Sequence, residues 1–231
     1  ISRSRISPAE VGETLNAGLV FASTYHTPGD ISQAAYTYAR SHNPTWTELE
    51  RAIAEMESDG EFRANAVVFA SGMAACAAVF GAVLRPGDVA VLPPNSYYTA
   101  RMLMQEHFAA MGVEVRLAAM AVEAPCDGLD AALRGARLVW VETPSNPEME
   151  VCDIAEMCER AHRVGALVAV DNTTATPLGQ RPLALGADFS VASDTKSMTG
   201  HSDLLLGHVA VRDGELLGKI DRWRTLTGGV V

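Results

Sequence analysis

The sequence is short of cysteine, of basic charge and of long apolar runs. Four cysteines occur in 231 residues, Cys76, Cys126, Cys152 and Cys158, and none form a CxxC pair. Reduced thiols in a cytoplasmic protein are therefore expected. Lysine and arginine number 18 against 28 acidic residues, a formal net charge of −10. That balance counts against nucleic acid or an anionic membrane as the main partner, though it allows a local pocket for one phosphate. No apolar run approaches the roughly 20 residues of a membrane span. The Ser/Arg-rich start, residues 1–7, is followed by no apolar core, so no secretory signal is visible. The six histidines (26, 42, 107, 162, 201 and 208) show no metal-ligand spacing, and Cys152, Cys158 and His162 do not share one helix face, so no metal is expected. Neither GxGxxG nor GxxxxGK[ST] occurs, which removes support for a Rossmann dinucleotide site or a P-loop. Internal repeats and low-complexity tracts are absent as well.

Hydrophobic residues make up 48% of the chain, enough for a full core and for one large α/β domain or somewhat more. Residues 1–44 read as an extended arm, rich in Ser, Thr, Gly and Tyr, of the kind that packs on another subunit or over a site. From Thr45 a helix is signalled by a capping box, Thr45 with Glu48, and by the stripe Leu49, Ile53, Met56. Strands are then expected at 66–69, 89–92, 113–117, 138–141, 166–170, 189–192 and 204–211. Helices are expected at 73–84, 98–111, 154–164 and 215–226. This alternation indicates βαβ units and a mostly parallel sheet. The chain begins at Ile1 and stops just after a helical stretch, which reads as a fragment, a processed piece or the ordered part of something longer.

In open sheets of this type, ligands bind beyond the carboxyl ends of strands. Ser71, Glu142, Asp171 and the segment 193–196 each follow an expected strand, so they gather on one edge. Ser71-Gly72-Met73 opens a helix, where free N–H groups and the helix dipole favour an anion. Its plainer reading is a tight strand–helix turn. Lys196 follows a hydroxyl-lined turn, with Ser193 and Thr195 before it. Asp171 ends the most apolar run of the chain. A lysine that forms a Schiff base and an acid that keeps a pyridine nitrogen protonated are the two protein groups pyridoxal 5'-phosphate needs. Tyr97 and Tyr98 could stack on a planar group or serve as acid or base. Arg40, near Tyr38, offers a fork of donors to a phosphate. Taken singly, each has a bland reading: a surface lysine, a loop-capping aspartate, two half-buried tyrosines, an exposed arginine.

Together these segments resemble the Cys/Met-metabolism family of pyridoxal-phosphate enzymes, the trans-sulfuration enzymes, and most nearly its cystathionine γ-lyases. The resemblance is carried, in family order, by Tyr-Ala-Arg-Ser-His-Asn-Pro-Thr (38–45), Phe-Ala-Ser-Gly-Met-Ala-Ala (69–75) and Glu-Thr-Pro-Ser-Asn-Pro (142–147). It continues with Val-Asp-Asn-Thr (170–173), Arg-Pro-Leu-Ala-Leu-Gly-Ala-Asp (181–188), Ser-Asp-Thr-Lys (193–196) and Gly-His-Ser-Asp (200–203).

The family implies a fold type I, aminotransferase-like large domain over 45–231, with a mostly parallel seven-stranded sheet flanked by helices. The arm, 1–44, would reach a neighbouring subunit, and the family's smaller C-terminal domain, with its carboxylate-binding arginine, would be absent from this sequence. Lys196 would carry the cofactor and Asp171 would hold its ring nitrogen. Ser71, Gly72, Met73, Ser193 and Thr195 would bind the phosphate. Tyr97 would stack on the ring, with Tyr98 in reserve, because Tyr-Tyr-Thr replaces the family's Tyr-Gly-Gly-Thr. Asn146 would lie near the cofactor's 3-oxygen, and Glu142 and Thr173 would shape the ring pocket. Tyr38 and Arg40 would reach the phosphate of a neighbouring subunit in a homo-oligomer, a dimer of dimers.

The implied reaction is γ-elimination on L-cystathionine or a related sulfur amino acid. γ-Replacement is the nearest alternative, followed by methionine γ-lyase. Lack of a cysteine between Tyr97 and Arg101 counts against the latter. Thr37 and Thr174-Ala175-Thr176 depart from the family pattern where substrate choice is decided. A rival of another class is a non-catalytic domain that only oligomerises.

Overall fold

The computed structural model describes residues 18–122 and 128–231. Cys126 and residues 1–17 of the arm lie outside these. Seven strands form one sheet: β1 (Asn65–Phe69), β2 (Val89–Leu92), β3 (Glu114–Leu117), β4 (Ala136–Glu142), β5 (Leu167–Asp171), β6 (Phe189–Ala192) and β7 (Gly207–Val211). Their order is β1-β7-β6-β5-β4-β2-β3. β7 is antiparallel to both its neighbours, and the remaining pairings are parallel. Two reversals around β7 restore the direction, so β1 runs the same way as β2 to β6. The carboxyl ends of β1, β2, β4, β5 and β6 therefore share one edge, and β7 starts from that edge.

The strands read as continuous apolar runs because both faces are covered. Side chains alternate between the faces with period two. Leu138, Trp140 and Ala169 join one core cluster, with Phe80 and Ile220. Val139, Val141, Val168 and Val170 join another, with Ile154 and Met157. The first face is covered by α2 (Gly72–Val83), α3 (Tyr98–Met102) and α7 (Gly214–Thr227); the second holds α4 (Leu129–Leu133) and α5 (Ile154–Arg163). A third cluster sets α1 (Pro44–Glu57) against the outer strands through Trp46, Ile53 and Val68. A short α6 (Thr176–Gly179) follows β5.

Some sequence expectations are corrected. α1 is capped by Asn43, whose side chain accepts the Thr45 N–H, and Pro44 fills the first helical position, where a missing N–H costs nothing. The Thr45 hydroxyl instead accepts the Val20 N–H at 2.8 Å and ties the arm to the helix. The helix expected at 98–111 is regular only through Met102. It continues as a π-helical segment, Leu103–Phe108, in which the Ala109 N–H reaches back to the Met104 carbonyl. The wider turn lets Met104 and Phe108 both enter the core, Phe108 edge-on to Phe80. The last strand begins at Gly207 rather than 204, leaving Leu204 and Leu205 exposed in a loop beside the sheet edge. Among the described residues, no helix is long and apolar enough to cross a membrane.

Candidate active site

A cavity of about 390 Å³ opens at the shared carboxyl edge. Ser71, Gly72, Met73, Tyr97, Glu142, Asn146, Asp171, Thr173, Ser193, Thr195 and Lys196 all line it. The sequence-expected site residues are thus brought together except Tyr38, Arg40 and the reserve tyrosine, Tyr98. Arg40 donates to the Thr225 carbonyl at 2.6 Å, on the last turn of α7, and its guanidinium lies 5.5 Å from the Tyr38 ring centre. Cys76, Ser197 and Leu205 also line the cavity and were not anticipated; Thr174, where the sequence departs from the family pattern, lines it too. For Cys76 a signal existed: it lies one helical turn beyond Gly72, on the same face of α2.

The floor is acidic and buried. Asp171 ends β5 and is paired in register with Glu142, the last residue of β4. One Asp171 oxygen accepts the Thr173 hydroxyl at 2.6 Å and the Thr173 N–H at 3.1 Å. Burial pushes the Asp171 carboxyl up despite these donors. The Thr173 hydroxyl oxygen in turn accepts the Ser193 N–H at 2.8 Å, so one hydroxyl links Asp171 to the lysine-bearing turn. Glu142 accepts backbone N–H groups from Tyr97 and, at 3.1 Å, from Asn146. It therefore clamps two loops rather than merely lining the pocket. Burial, with the Asp171 charge beside it, lifts Glu142 to about 7. The same loops are joined by the Asn95 amide, which donates to Glu150 at 2.6 Å and to Ser145 at 3.3 Å. Burial, followed by the Asp171 and Glu142 charges, raises the Cys76 thiol well above its ordinary value, so it stays protonated.

The wall opposite is an anion cradle. Ser71 caps α2, its hydroxyl accepting the Ala74 N–H at 3.2 Å. The Gly72 and Met73 N–H groups stand in the first turn, where a helix leaves its donors free. Close packing demands glycine here. A Cβ on Gly72 would lie 2.5 Å from the Ser193 Cβ, and one on Gly207 would lie 2.5 Å from the Ser71 carbonyl oxygen. The α2 start, the lysine-bearing turn and the start of β7 are thereby pressed together. Ser193 is half-buried. The Thr195 hydroxyl, expected to face a phosphate, is already engaged: it donates to the Leu206 carbonyl at 3.1 Å and accepts the Leu206 N–H at 3.0 Å. Lys196 is exposed into the cavity, and no hydrogen bond or ion pair engages its amine among the described residues. Tyr97 and Tyr98 are 42% and 62% exposed, and only Tyr97 lines the cavity.

A free amine, a buried carboxylate and an anion cradle lining one cavity are a donor set for a phosphorylated pyridine aldehyde. Comparison with known proteins agrees. The model of the Cys/Met metabolism PLP-dependent enzymes matches residues 4–231. The chain belongs to this family. A Streptomyces coelicolor protein provisionally named cystathionine gamma-lyase is 54% identical over 92% of this chain and 53% of its own length. The cystathionine gamma-synthase of Escherichia coli is 37% identical over 90% of the chain and 53% of its own length. A Micromonospora echinospora protein of solved structure, described once as a cystathione gamma lyase and once as a methionine gamma lyase, superposes with TM-scores of 0.87 and 0.88. The identities are 39% and 38%, and the shares covered are 97% and 99% of this chain and 57% and 60% of those chains. The chain spans about half the length of the curated relatives it matches.

Pyridoxal phosphate is the cofactor of this family, and the residues present fit it. Gly72 and Met73 offer free N–H groups to a dianion. Among the described residues, the second Asp171 oxygen takes no donor and is left for a ring N–H. Lys196 stands unpaired for covalent attachment.

Proposed function

We propose that this chain is the cofactor-binding part of a pyridoxal-phosphate carbon–sulfur lyase that carries out γ-elimination on L-cystathionine or a related homoserine thioether. The observation that carries the reading is the meeting of Lys196, Asp171 and the α2 start in one cavity. When bound, pyridoxal phosphate supplies an electron sink for the substrate carbanion. The residues do the rest. The α2 N–H groups and Ser193 would hold the phosphate; Asp171 would accept the ring N–H and keep that nitrogen protonated. Tyr97 would cover the ring, while Glu142 fixes the backbone of Tyr97 and Asn146. The Lys196 Nζ, as a neutral amine, would take the substrate Cα proton and then move a Cβ proton. The Tyr97 phenol protonates the departing sulfur. With one water consumed in hydrolysis, the products would be cysteine, 2-oxobutanoate and ammonia.

We read residues 1–44 as an arm and 45–231 as the large domain. Tyr38 and Arg40 would act on a neighbouring subunit's phosphate within a dimer of dimers, since in one chain they sit away from the cavity. A cytoplasmic setting fits three buried, unbridged thiols, Cys76, Cys152 and Cys158. γ-Replacement is favoured by the likeness to the Escherichia coli gamma-synthase. The deciding experiment incubates the loaded protein with L-cystathionine, then separately with cysteine and an O-acylhomoserine. Release of 2-oxobutanoate from the first supports elimination. Cystathionine formed in the second, with no 2-oxobutanoate from the first, sinks it in favour of replacement.

A further inference from the structure

Beneath the cavity lies a charged cluster that none of the steps above uses. His208, at the edge-proximal end of β7, is fully buried. Its Nδ1 is 2.8 Å from an Asp194 oxygen, and its Nε2 is 3.3 Å from a Glu57 oxygen. The Ser190 hydroxyl donates to that same Glu57 oxygen at 2.9 Å. Glu57, Asp194 and Ser190 are all at most 1% exposed. Both ring nitrogens face carboxyl oxygens, so with both carboxyls ionised the two contacts are hydrogen bonds only when each nitrogen carries a proton. Burial alone would lower the His208 pKa, but Asp194 and then Glu57 outweigh it and hold the imidazole up at about 10.

Asp194 sits between Ser193 and Thr195, both of which line the cavity, and two residues before Lys196. Its own side chain is instead bonded beneath the cavity to β7. The turn's backbone closes on this residue as well, since the Asp194 carbonyl accepts the Thr199 N–H at 3.0 Å. A buried ion pair of this kind is a poor source of net stability, but it can specify one arrangement of the elements it joins. The elements joined here are the end of α1, the β6–β7 pair and the turn that carries Lys196.

We propose that Asp194, His208 and Glu57 are positioning residues for Lys196: the doubly protonated His208, braced by Glu57, anchors Asp194 beneath the cavity and so fixes the 193–196 turn in its cofactor-binding form. The effect on the cofactor rests on the pyridoxal-phosphate reading; the anchoring of the turn does not. The His208 charge also reaches Asp171 and lowers its carboxyl, opposing the effect of burial there.

The test compares the wild-type protein with Asp194→Asn and Glu57→Gln, each isosteric, by amide hydrogen exchange without cofactor and by pyridoxal-phosphate titration. The amides of Ser193, Thr195, Lys196 and Thr199 are hydrogen-bonded and serve as local reporters. In Asp194→Asn they should exchange at least about tenfold faster, while β2 on the far side of the sheet is unchanged. Cofactor affinity should fall on the order of tenfold, as when outer partners of metal ligands are removed. Glu57→Gln should show the same pattern more weakly, and the nitrogen shifts of His208 should report two protonated ring nitrogens at pH 7. Unchanged exchange at 193–199, or an equal rise everywhere, would overturn the anchoring. A neutral His208 would do the same. A loosened turn with unaltered cofactor affinity would overturn the positioning role. Failure of the wild-type protein to bind pyridoxal phosphate would instead sink the functional reading, leaving the exchange result to decide the anchor.

Discussion

Lys196 is exposed and unpaired, while the polar side chains around it are committed to the fold: Thr195 to Leu206, Thr173 to Asp171 and Glu142 to two backbone amides. The proposed role of Lys196 as the reacting amine rests on that contrast. Lys196→Ala should keep the fold yet lower turnover on the order of 10²–10⁴-fold, the range for a lost proton-transfer group, in a 2-oxobutanoate assay. Glu142 offers a sharper test. Its carboxyl is raised to about 7, so the wild-type protein should show a carboxyl infrared band that disappears with a midpoint near 7 and is missing in Glu142→Gln. Lys196 and Asp171 were legible in the sequence because each follows an apolar run that ends at the sheet edge. The Glu57–His208 pair was not, because its members lie 151 residues apart and each alone looks like an ordinary polar residue. Glu142 was legible as a site residue, but its hydrogen bonds depend on loop paths that spacing does not reveal.

Among the elements, α2 and the lysine-bearing turn meet with no room to spare. Gly72→Ala sets a methyl 2.5 Å from the Ser193 Cβ. The expected cost is about 1–3 kcal/mol, the usual range for overpacking, read from the urea midpoint, together with weaker cofactor binding as the cradle splays. A second junction joins α1, β1 and α7. The buried Arg224 binds Glu50, Asp221 at 2.8 Å and the Val68 carbonyl at 3.2 Å. Burial raises the Glu50 carboxyl, and Arg224 offsets that rise. Arg224→Ala leaves Glu50 buried without its partner and should cost about 3–5 kcal/mol in the same measurement. The strands and long helices were readable from period and turn residues. The π-helical segment at Leu103–Phe108 was not, since one extra residue in a turn leaves an apolar stripe almost unchanged. The short α4 and α6 escaped because so few residues carry no period.

At the scale of the molecule, Glu142 and His208 are two of the buried groups that make stability fall as pH rises. The folded state holds the Glu142 proton more tightly than the unfolded chain, so its contribution is complete below about 4.5 and is lost through about 7. For His208, facing Asp194 and Glu57, with Asp171 also within reach of its charge, the contribution is complete below about 6.5 and is lost on approach to about 10. Unfolding curves of the cofactor-free protein should therefore weaken across both windows, and Glu142→Gln should remove the Glu142 share of the lower one and leave the upper one unchanged. The central claim is covalent capture of pyridoxal phosphate at one amine. The sequence holds only two lysines, Lys196 and Lys219, and Lys219 is paired with Glu215 at 2.6 Å on α7. The most direct measurement is to incubate the protein with pyridoxal phosphate, reduce it with borohydride and map the added mass by peptide mass spectrometry. One phosphopyridoxyl group on Lys196 is expected, with Lys219 bare. Label on Lys219 alone, or equal label on both, would contradict the account.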